Sequence, residues 1–169
     1  MNISIIGFRG AGKTTVCRLL GKNLGRRVIC TDDEIEKKTK IGIKDFVKKH
    51  GWEKFREVES EVIESIIELD GCIFDTGGGA VLRNENVVNL KKNSIMILLT
   101  ADPKIIKERI KDTNRPELTK KNYLDEVDDL LKEREHKYHA AADYTIDNSS
   151  LGPEEVCDLI VHYMQTELN

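Results

Sequence analysis

The apolar and polar positions divide the chain into short apolar runs and longer stretches with helical periodicity. Ile3, Ile5 and Ile6 open it as a buried strand, and Val16, Leu19 and Leu20 then recur at helical spacing, predicting a helix from about Lys13 to Leu24 that stops near Gly25. Val28-Ile29-Cys30 reads as a second strand, and Thr31-Asp32-Asp33-Glu34 follows it as a capping threonine with carboxylates in a first helical turn. Residues 43–69 read as helical with a break near Gly51, and the second part carries a stripe of Phe55, Val58, Val62, Ile63, Ile66 and Ile67. Trp52 reads as a core residue rather than a stacking platform. Cys72-Ile73-Phe74 is a third strand. The run Ile95–Leu99 has the continuous apolar character of a strand covered on both faces. Asp143–Ile146 with Asp147 is a fifth, short strand.

Helices fill the remaining intervals. Residues 84–91 form a short one. Asp102-Pro103 starts another, which carries Ile105, Ile106, Arg109 and Ile110. A third runs from about Asn122 to Ala141, and the last carries Val156, Leu159, Ile160 and Tyr163. Strands that alternate with helices predict an α/β three-layer sandwich, a five-stranded parallel sheet with helices on both faces. Residues 111–121 lack apolar periodicity and read as a mobile loop around Asn114-Arg115-Pro116.

Composition narrows the classes. The chain is 39% hydrophobic and 34% charged, as in a water-soluble globular domain, and 169 residues suffice for one core. The net charge of -3 comes without a basic block, which argues against a nucleic-acid partner. No run approaches membrane-spanning length. The short apolar start leads straight into a glycine loop and does not read as a signal peptide. Cys17, Cys30, Cys72 and Cys157 are widely spread without metal-ligand spacing, so free thiols in a reducing cytoplasm are expected. His50, His136, His139 and His162 share no spacing that points to catalysis or metal.

The strongest chemical signal is Gly7-Phe8-Arg9-Gly10-Ala11-Gly12-Lys13-Thr14-Thr15, set between a strand and a helix. Glycines let backbone N–H groups curl inward, and these groups with the helix N-terminus hold phosphate oxygens. Lys13 is placed to reach the outer phosphates, and the Thr14 hydroxyl to ligate Mg²⁺. Gly77-Gly78-Gly79 follows the third strand. Three successive glycines are costly to order and suggest that something approaches the backbone closely. Arg134 falls on the same helical face as Val127, Leu131 and Tyr138, so it either snorkels outward or lies in an anion-holding pocket. The glycine loop, the Asp32 turn and the triple glycine all follow strands and should meet at one sheet edge.

These residues together resemble the shikimate kinases, a nucleoside-monophosphate-kinase-like family, over nearly the full length. The resemblance rests on the phosphate loop, Asp32 with Ile35-Glu36 and Thr39, Phe55-Arg56-Glu57-Val58-Glu59, Gly77-Gly78-Gly79-Ala80-Val81, Arg115-Pro116, Arg134 with Tyr138, and the loop from Ile146-Asp147 through Pro153 and Val156. It implies transfer of the γ-phosphoryl of ATP to the 3-hydroxyl of shikimate in aromatic amino acid (chorismate) biosynthesis. A single kinase domain over 1–169 is implied, with a core of 1–110 and 122–169, a lid at about 111–121 and substrate-binding helices at about 32–69. Lys13, Asp32 and Arg115 are the implied catalytic residues. Asp32, Arg56, Gly77, Gly78, Gly79 and Arg134 are assigned to the acceptor, whose carboxylate the two arginines would clamp. Gly10, Ala11, Gly12, Lys13, Thr14, Thr15, Arg109 and Arg115 are assigned to the nucleotide. Mg²⁺ as cofactor, shikimate and ATP as partners, a monomer and a cytoplasmic location complete the expectation.

Four departures from the family pattern stand out, the first involving two positions. Cys30 stands where a second aspartate usually helps hold Mg²⁺, and a thiol is a poor ligand for that hard ion. Asp75 ends the third strand where the family commonly has a small residue. It is either the relocated metal carboxylate, with Thr14 and Asp75 then forming the metal site, or a polar strand end. Val47 stands where an aromatic often lines the shikimate pocket, with Phe46 one position earlier. Glu117 follows Arg115-Pro116 where an apolar residue is usual, and Leu151 stands where some members place an arginine near adenine. Two other readings stay open: a kinase for another small hydroxy or sugar acid such as gluconate, and a non-catalytic nucleotide-binding module.

Overall fold

The computed structural model describes residues 1–111 and 123–167. Five parallel strands form one sheet: β1 (Asn2–Ile6), β2 (Val28–Cys30), β3 (Ile73–Asp75), β4 (Ser94–Thr100) and β5 (Tyr144–Asp147), in the order β2-β3-β1-β4-β5. The helices are α1 (Lys13–Leu24), α2 (Thr31–Thr39), α3 (Ile43–Ile66), α4 (Asn84–Lys91), α5 (Pro103–Ile110), α6 (Tyr123–Ala141) and α7 (Pro153–Glu167), with a 3-10 turn at Ala80–Leu82. The expected α/β sandwich is the observed one.

Side chains alternate across a strand, so each strand serves two cores. Ile3, Ile5, Ile73, Ile97, Leu99 and Ile146 pack with Val16 and Leu20 of α1 and Val156 and Ile160 of α7. Ile6, Phe74, Met96 and Leu98 face the other way, against the apolar residues of α3, α5 and α6. The polar Ser4 in the middle of β1 is completely buried, and its hydroxyl meets that of Ser94 at 2.7 Å.

Glycines end and break the helices where the pattern placed them. Gly25 closes α1 in the left-handed conformation. Gly51 interrupts α3 at φ 82°, ψ 167°, a region open essentially to glycine alone. Asp102 accepts from the Lys104 N–H at 2.8 Å, capping α5. One capping expectation is corrected. Thr31 is the first residue of α2, behind Cys30 as N-cap, and no side chain caps that helix. The Thr31 hydroxyl instead accepts the Gly77 N–H at 2.9 Å, which ties α2 to the loop after β3.

Parallel pairing sets Ile5, Asp75 and Cys30 side by side across β1, β3 and β2. Every segment carrying candidate chemistry therefore leaves the sheet from the same edge, where open α/β folds bind ligands.

Candidate active site

Two adjoining cavities lie on that edge. The first, of about 540 Å³, is walled by Gly10, Gly12, Lys13, Thr14 and Thr15 of the phosphate loop and by Asp75, Arg109, Asn148 and Leu151. The second, of about 580 Å³, is walled by Arg56, Glu59, Gly77–Gly79 and Arg134, with Trp52 and Phe55 as its aromatic side. Arg9 and Asp32 line both. A group bound in one cavity can thus meet a group bound in the other beside Asp32.

The phosphate loop is shaped by Gly7, Gly10 and Gly12, all at positive φ. The Ala11 N–H is turned inward and donates to the Phe8 carbonyl, so Ala11 serves the loop's shape; the residue is buried and does not line the cavity. The Lys13 ammonium donates to the carbonyls of Gly7 and Phe8 at 2.9 and 3.0 Å and is held over its own loop. Thr14 Oγ1 donates to Asp75 Oδ2 at 2.6 Å. That bond joins the residue expected to ligate a metal to the carboxylate expected to support it.

Cys30 also lines the nucleotide-side cavity, at the N-cap of α2. Burial pushes its thiol up to about 11, with Asp75 and Asp32 adding to the rise and a backbone hydrogen bond opposing it, so the sulfur stays protonated at neutral pH. A protonated thiol is no partner for Mg²⁺. Among the described residues no group of three His, Cys, Asp or Glu side chains could hold a metal ion. The oxygen donors that are present, Thr14 and Asp75, suit Mg²⁺, which normally takes few protein ligands and completes its shell with phosphate and water.

The acceptor-side cavity is built around charge. Arg56 donates to Glu59 Oε2 at 2.7 Å, and Glu59 is fully buried. An i, i+3 pair on an exposed helix face would be solvated and weak, whereas burial makes this one a fixed support. Burial pushes the Glu59 carboxyl up from its ordinary value, while the adjacent Arg56 partly offsets the rise. Glu59 Oε1 and Arg134 Nε are both buried without a hydrogen-bond partner among the described residues. Buried polar atoms left unmatched beside a cavity mark positions a ligand can satisfy. The Arg134 guanidinium lies 5.8 Å from the Phe8 ring, and Arg134 is 7% exposed, which decides for the pocket over snorkelling.

The triple glycine is needed for close approach, since none of the three has positive φ. A Cβ at Gly79 would fall 2.2 Å from the Arg56 guanidinium carbon, and one at Gly77 would fall 2.8 Å from Glu59 Oε1 and 2.9 Å from Asp32 Oδ1. At Gly77 and Gly79 what approaches the backbone is the chain's own charged side chains, and at Gly78 it is the phosphate loop, with the Arg9 backbone nitrogen 3.1 Å from where a Cβ would stand. Gly79→Ala is therefore expected to displace the Arg56 guanidinium and weaken acceptor binding by about 1.5–3 kcal/mol, the range for a hydrogen bond to a charged group. Acceptor titration followed by the fluorescence of Trp52, the single tryptophan, checks this.

The shikimate kinase family model matches residues 9–165. A shikimate kinase from Thermodesulfovibrio yellowstonii is 41% identical over 161 residues, 95% of this chain and 92% of that protein. One from Pelotomaculum thermopropionicum is 38% identical over 165 residues, covering 97% and 95% of the two chains. The structure of shikimate kinase from Acinetobacter baumannii in complex with shikimate superposes with a TM-score of 0.93 at 34% identity, over 98% of this chain and 93% of that one. The chain belongs to the shikimate kinase family.

Family membership and the cavities make most of the expected positions neighbours. Gly10, Gly12, Lys13, Thr14, Thr15, Arg109 and Asp75 gather in one cavity, and Arg56, Gly77, Gly78, Gly79 and Arg134 in the other, with Asp32 common to both. Arg115, Glu117 and the lid at 111–121 lie outside the described residues except for Lys111. Two readings are refined. Trp52 is half-buried and packs against the core as expected, and it also walls the acceptor cavity, edge-on to Phe55 at 5.4 Å and 5.3 Å from the Arg56 guanidinium carbon. Val47 packs against the core instead of lining the acceptor cavity. Arg9, Asn148 and Tyr138 were given no role from sequence. Asn148 directly follows β5 at the ligand edge, a placement that could have drawn notice. The pattern with Arg134 marked Tyr138 but not its partner: the Tyr138 hydroxyl donates to the Gly78 carbonyl across 60 residues of chain.

Proposed function

We propose that this chain transfers the γ-phosphoryl group of ATP to the 3-hydroxyl of shikimate, giving ADP and shikimate 3-phosphate for aromatic amino acid biosynthesis. The observation that carries the reading is the pair Arg56 and Arg134 facing a carboxylate, Asp32, where the two cavities join. Two guanidinium groups suit the carboxylate of a small acid, because each offers a planar fork of donors. Asp32 suits the ring hydroxyls: it accepts their hydrogen bonds and takes the proton as the 3-oxygen bonds to the γ-phosphorus and the bond to the β-phosphate oxygen breaks. The N–H groups around Gly12 and the ammonium of Lys13 receive the phosphates, in a reaction governed by positioning and charge. Thr14, supported by Asp75, would hold Mg²⁺, which supplies charge neutralisation on the phosphates when bound. Arg109 is assigned to the nucleotide base side, and Arg115 of the lid, by the resemblance, to the transferring group.

The same reading takes residues 1–169 as one kinase domain that acts as a monomer in the cytoplasm. Among the described residues no helix is long and apolar enough to cross a membrane.

A coupled ADP-release assay with shikimate, gluconate and related hydroxy acids, with and without Mg²⁺, tests the proposal. Shikimate-dependent ADP release that stops on chelation is the expected result. A preference for gluconate would make it a kinase for another acid. Tight ATP binding without turnover would make it a nucleotide-binding module.

A further inference from the structure

The nucleotide-side cavity contains a buried amide that the phosphate-loop motif does not account for. Asn148 follows β5, is 4% exposed, and has its own N–H donated to the Thr100 carbonyl at 3.0 Å, which fixes its backbone to the end of β4. Its side chain leaves the sheet and reaches the phosphate loop. Nδ2 donates to the Ala11 carbonyl at 2.6 Å, and Oδ1 accepts from the Arg109 guanidinium at 3.3 Å. The same guanidinium nitrogen also donates to the Gly10 carbonyl at 3.3 Å. The amide orientation follows from its partners: flipped, it would set oxygen against a carbonyl and an NH₂ group against a cation.

A trans peptide is planar, so its N–H points opposite to its C=O. Among the described residues no peptide is cis. Pulling the Ala11 carbonyl toward Asn148 therefore aims the Gly12 N–H the other way. Gly12 borders the cavity at φ 90°, and a Cβ there would stand 3.2 Å from Asn148 Nδ2 and 3.6 Å from the Arg109 guanidinium nitrogen. The glycine thus serves two ends: it permits the backbone conformation and lets the amide come close. The neighbouring Ala11 N–H is already spent on Phe8, so the direction of the Gly12 N–H matters more to an incoming phosphate.

We infer that Asn148 is a positioning residue for the nucleotide: through the Ala11 carbonyl it sets the direction of the Gly12 N–H, and through Oδ1 it holds Arg109 at the cavity wall. The inference rests on the reading of this cavity as the ATP site, and it is independent of which acceptor is phosphorylated.

Calorimetric titration of the full-length chain with MgADP tests it, because ADP binding needs no acceptor. Asn148→Leu keeps the size and removes both hydrogen bonds, and it is expected to weaken ADP binding about tenfold, the scale of one or two net hydrogen bonds. Asn148→Asp keeps an acceptor for Arg109 and loses the donor to Ala11, so it should weaken binding at least as much. Shikimate binding, followed by Trp52 fluorescence, should stay within about twofold in both variants, since neither bond reaches the other cavity. Wild-type-like ADP binding by either variant would overturn the inference. So would an equal loss of ADP and shikimate binding with a lowered melting temperature, the mark of a structural role alone. Where the leucine variant does not fold, Asn148→Ser carries the same expectation. Failure of the unsubstituted chain to bind MgADP would instead reject the nucleotide-site reading itself.

Discussion

Arg134→Ala raises the Michaelis constant for shikimate by at least about thirtyfold, the lower end of the roughly 2–5 kcal/mol that attends loss of one member of a desolvated charge pair. The size follows from burial. Arg134 is almost wholly enclosed, with Nε unmatched among the described residues, so a bound carboxylate meets a guanidinium that water does not screen. The alanine variant removes the donors and opens the wall to water. Arg134→Lys keeps the charge without the planar fork and should fall between the two. The Michaelis constant for ATP should stay within about twofold, because Arg134 lines the acceptor cavity and not the nucleotide-side cavity. Steady-state kinetics with each substrate varied in turn checks this. Parallel loss for both substrates would mean that α6 has come away from Phe8, and the assignment to the acceptor would fail.

Asp75→Asn lowers turnover, or raises the Mg²⁺ concentration that supports it, by about 10–100-fold, the range seen when a group orienting a metal ligand is changed. Thr14 donates to Asp75 at 2.6 Å; a carboxylate there keeps the Thr14 oxygen lone pairs turned away from its own hydrogen and adds negative charge near the cation. An amide keeps the shape and removes the charge. Parallel register sets position 30 directly beside position 75, so a carboxylate at either place borders the same space. Cys30→Asp in the Asp75→Asn background should therefore recover much of the loss. A Mg²⁺ titration of turnover with the single and double variants decides between a relocated metal carboxylate and a polar strand end. An Asp75→Asn variant with unchanged Mg²⁺ dependence would leave only the strand-end reading.

The two predictions differ in how far each was legible before folding. That Thr14 would meet phosphate and metal could be read from local spacing, because a strand, a glycine loop and a helix in sequence position one another without help from the rest of the chain. That Asp75 could stand in place of an aspartate missing at position 30 was one of two readings the sequence allowed, and the strand order adds that the two positions adjoin. The two residues are 45 positions apart, and only the pairing of β2 with β3 makes them neighbours. Arg134 was ambiguous for the same reason: helical periodicity showed which face of α6 it shares but not what that face covers.

The sequence by itself determined the alternation of strands and helices, the break at Gly51, the phosphate loop and the set of residues that resemble the shikimate kinases. These depend on local backbone preferences, on periodicity and on short motifs, all of which act within a few residues. Tertiary structure decided the rest: that Glu59 is buried behind Arg56, that Gly77 and Gly79 yield room to the chain's own charges, that Trp52 walls a cavity as well as packing on the core, and that Asn148 reaches Ala11 from the end of β5, two strands away from β1. Each is a contact between segments distant in the chain, and such contacts are set by how parallel strands stack at one edge, which the residue order does not state.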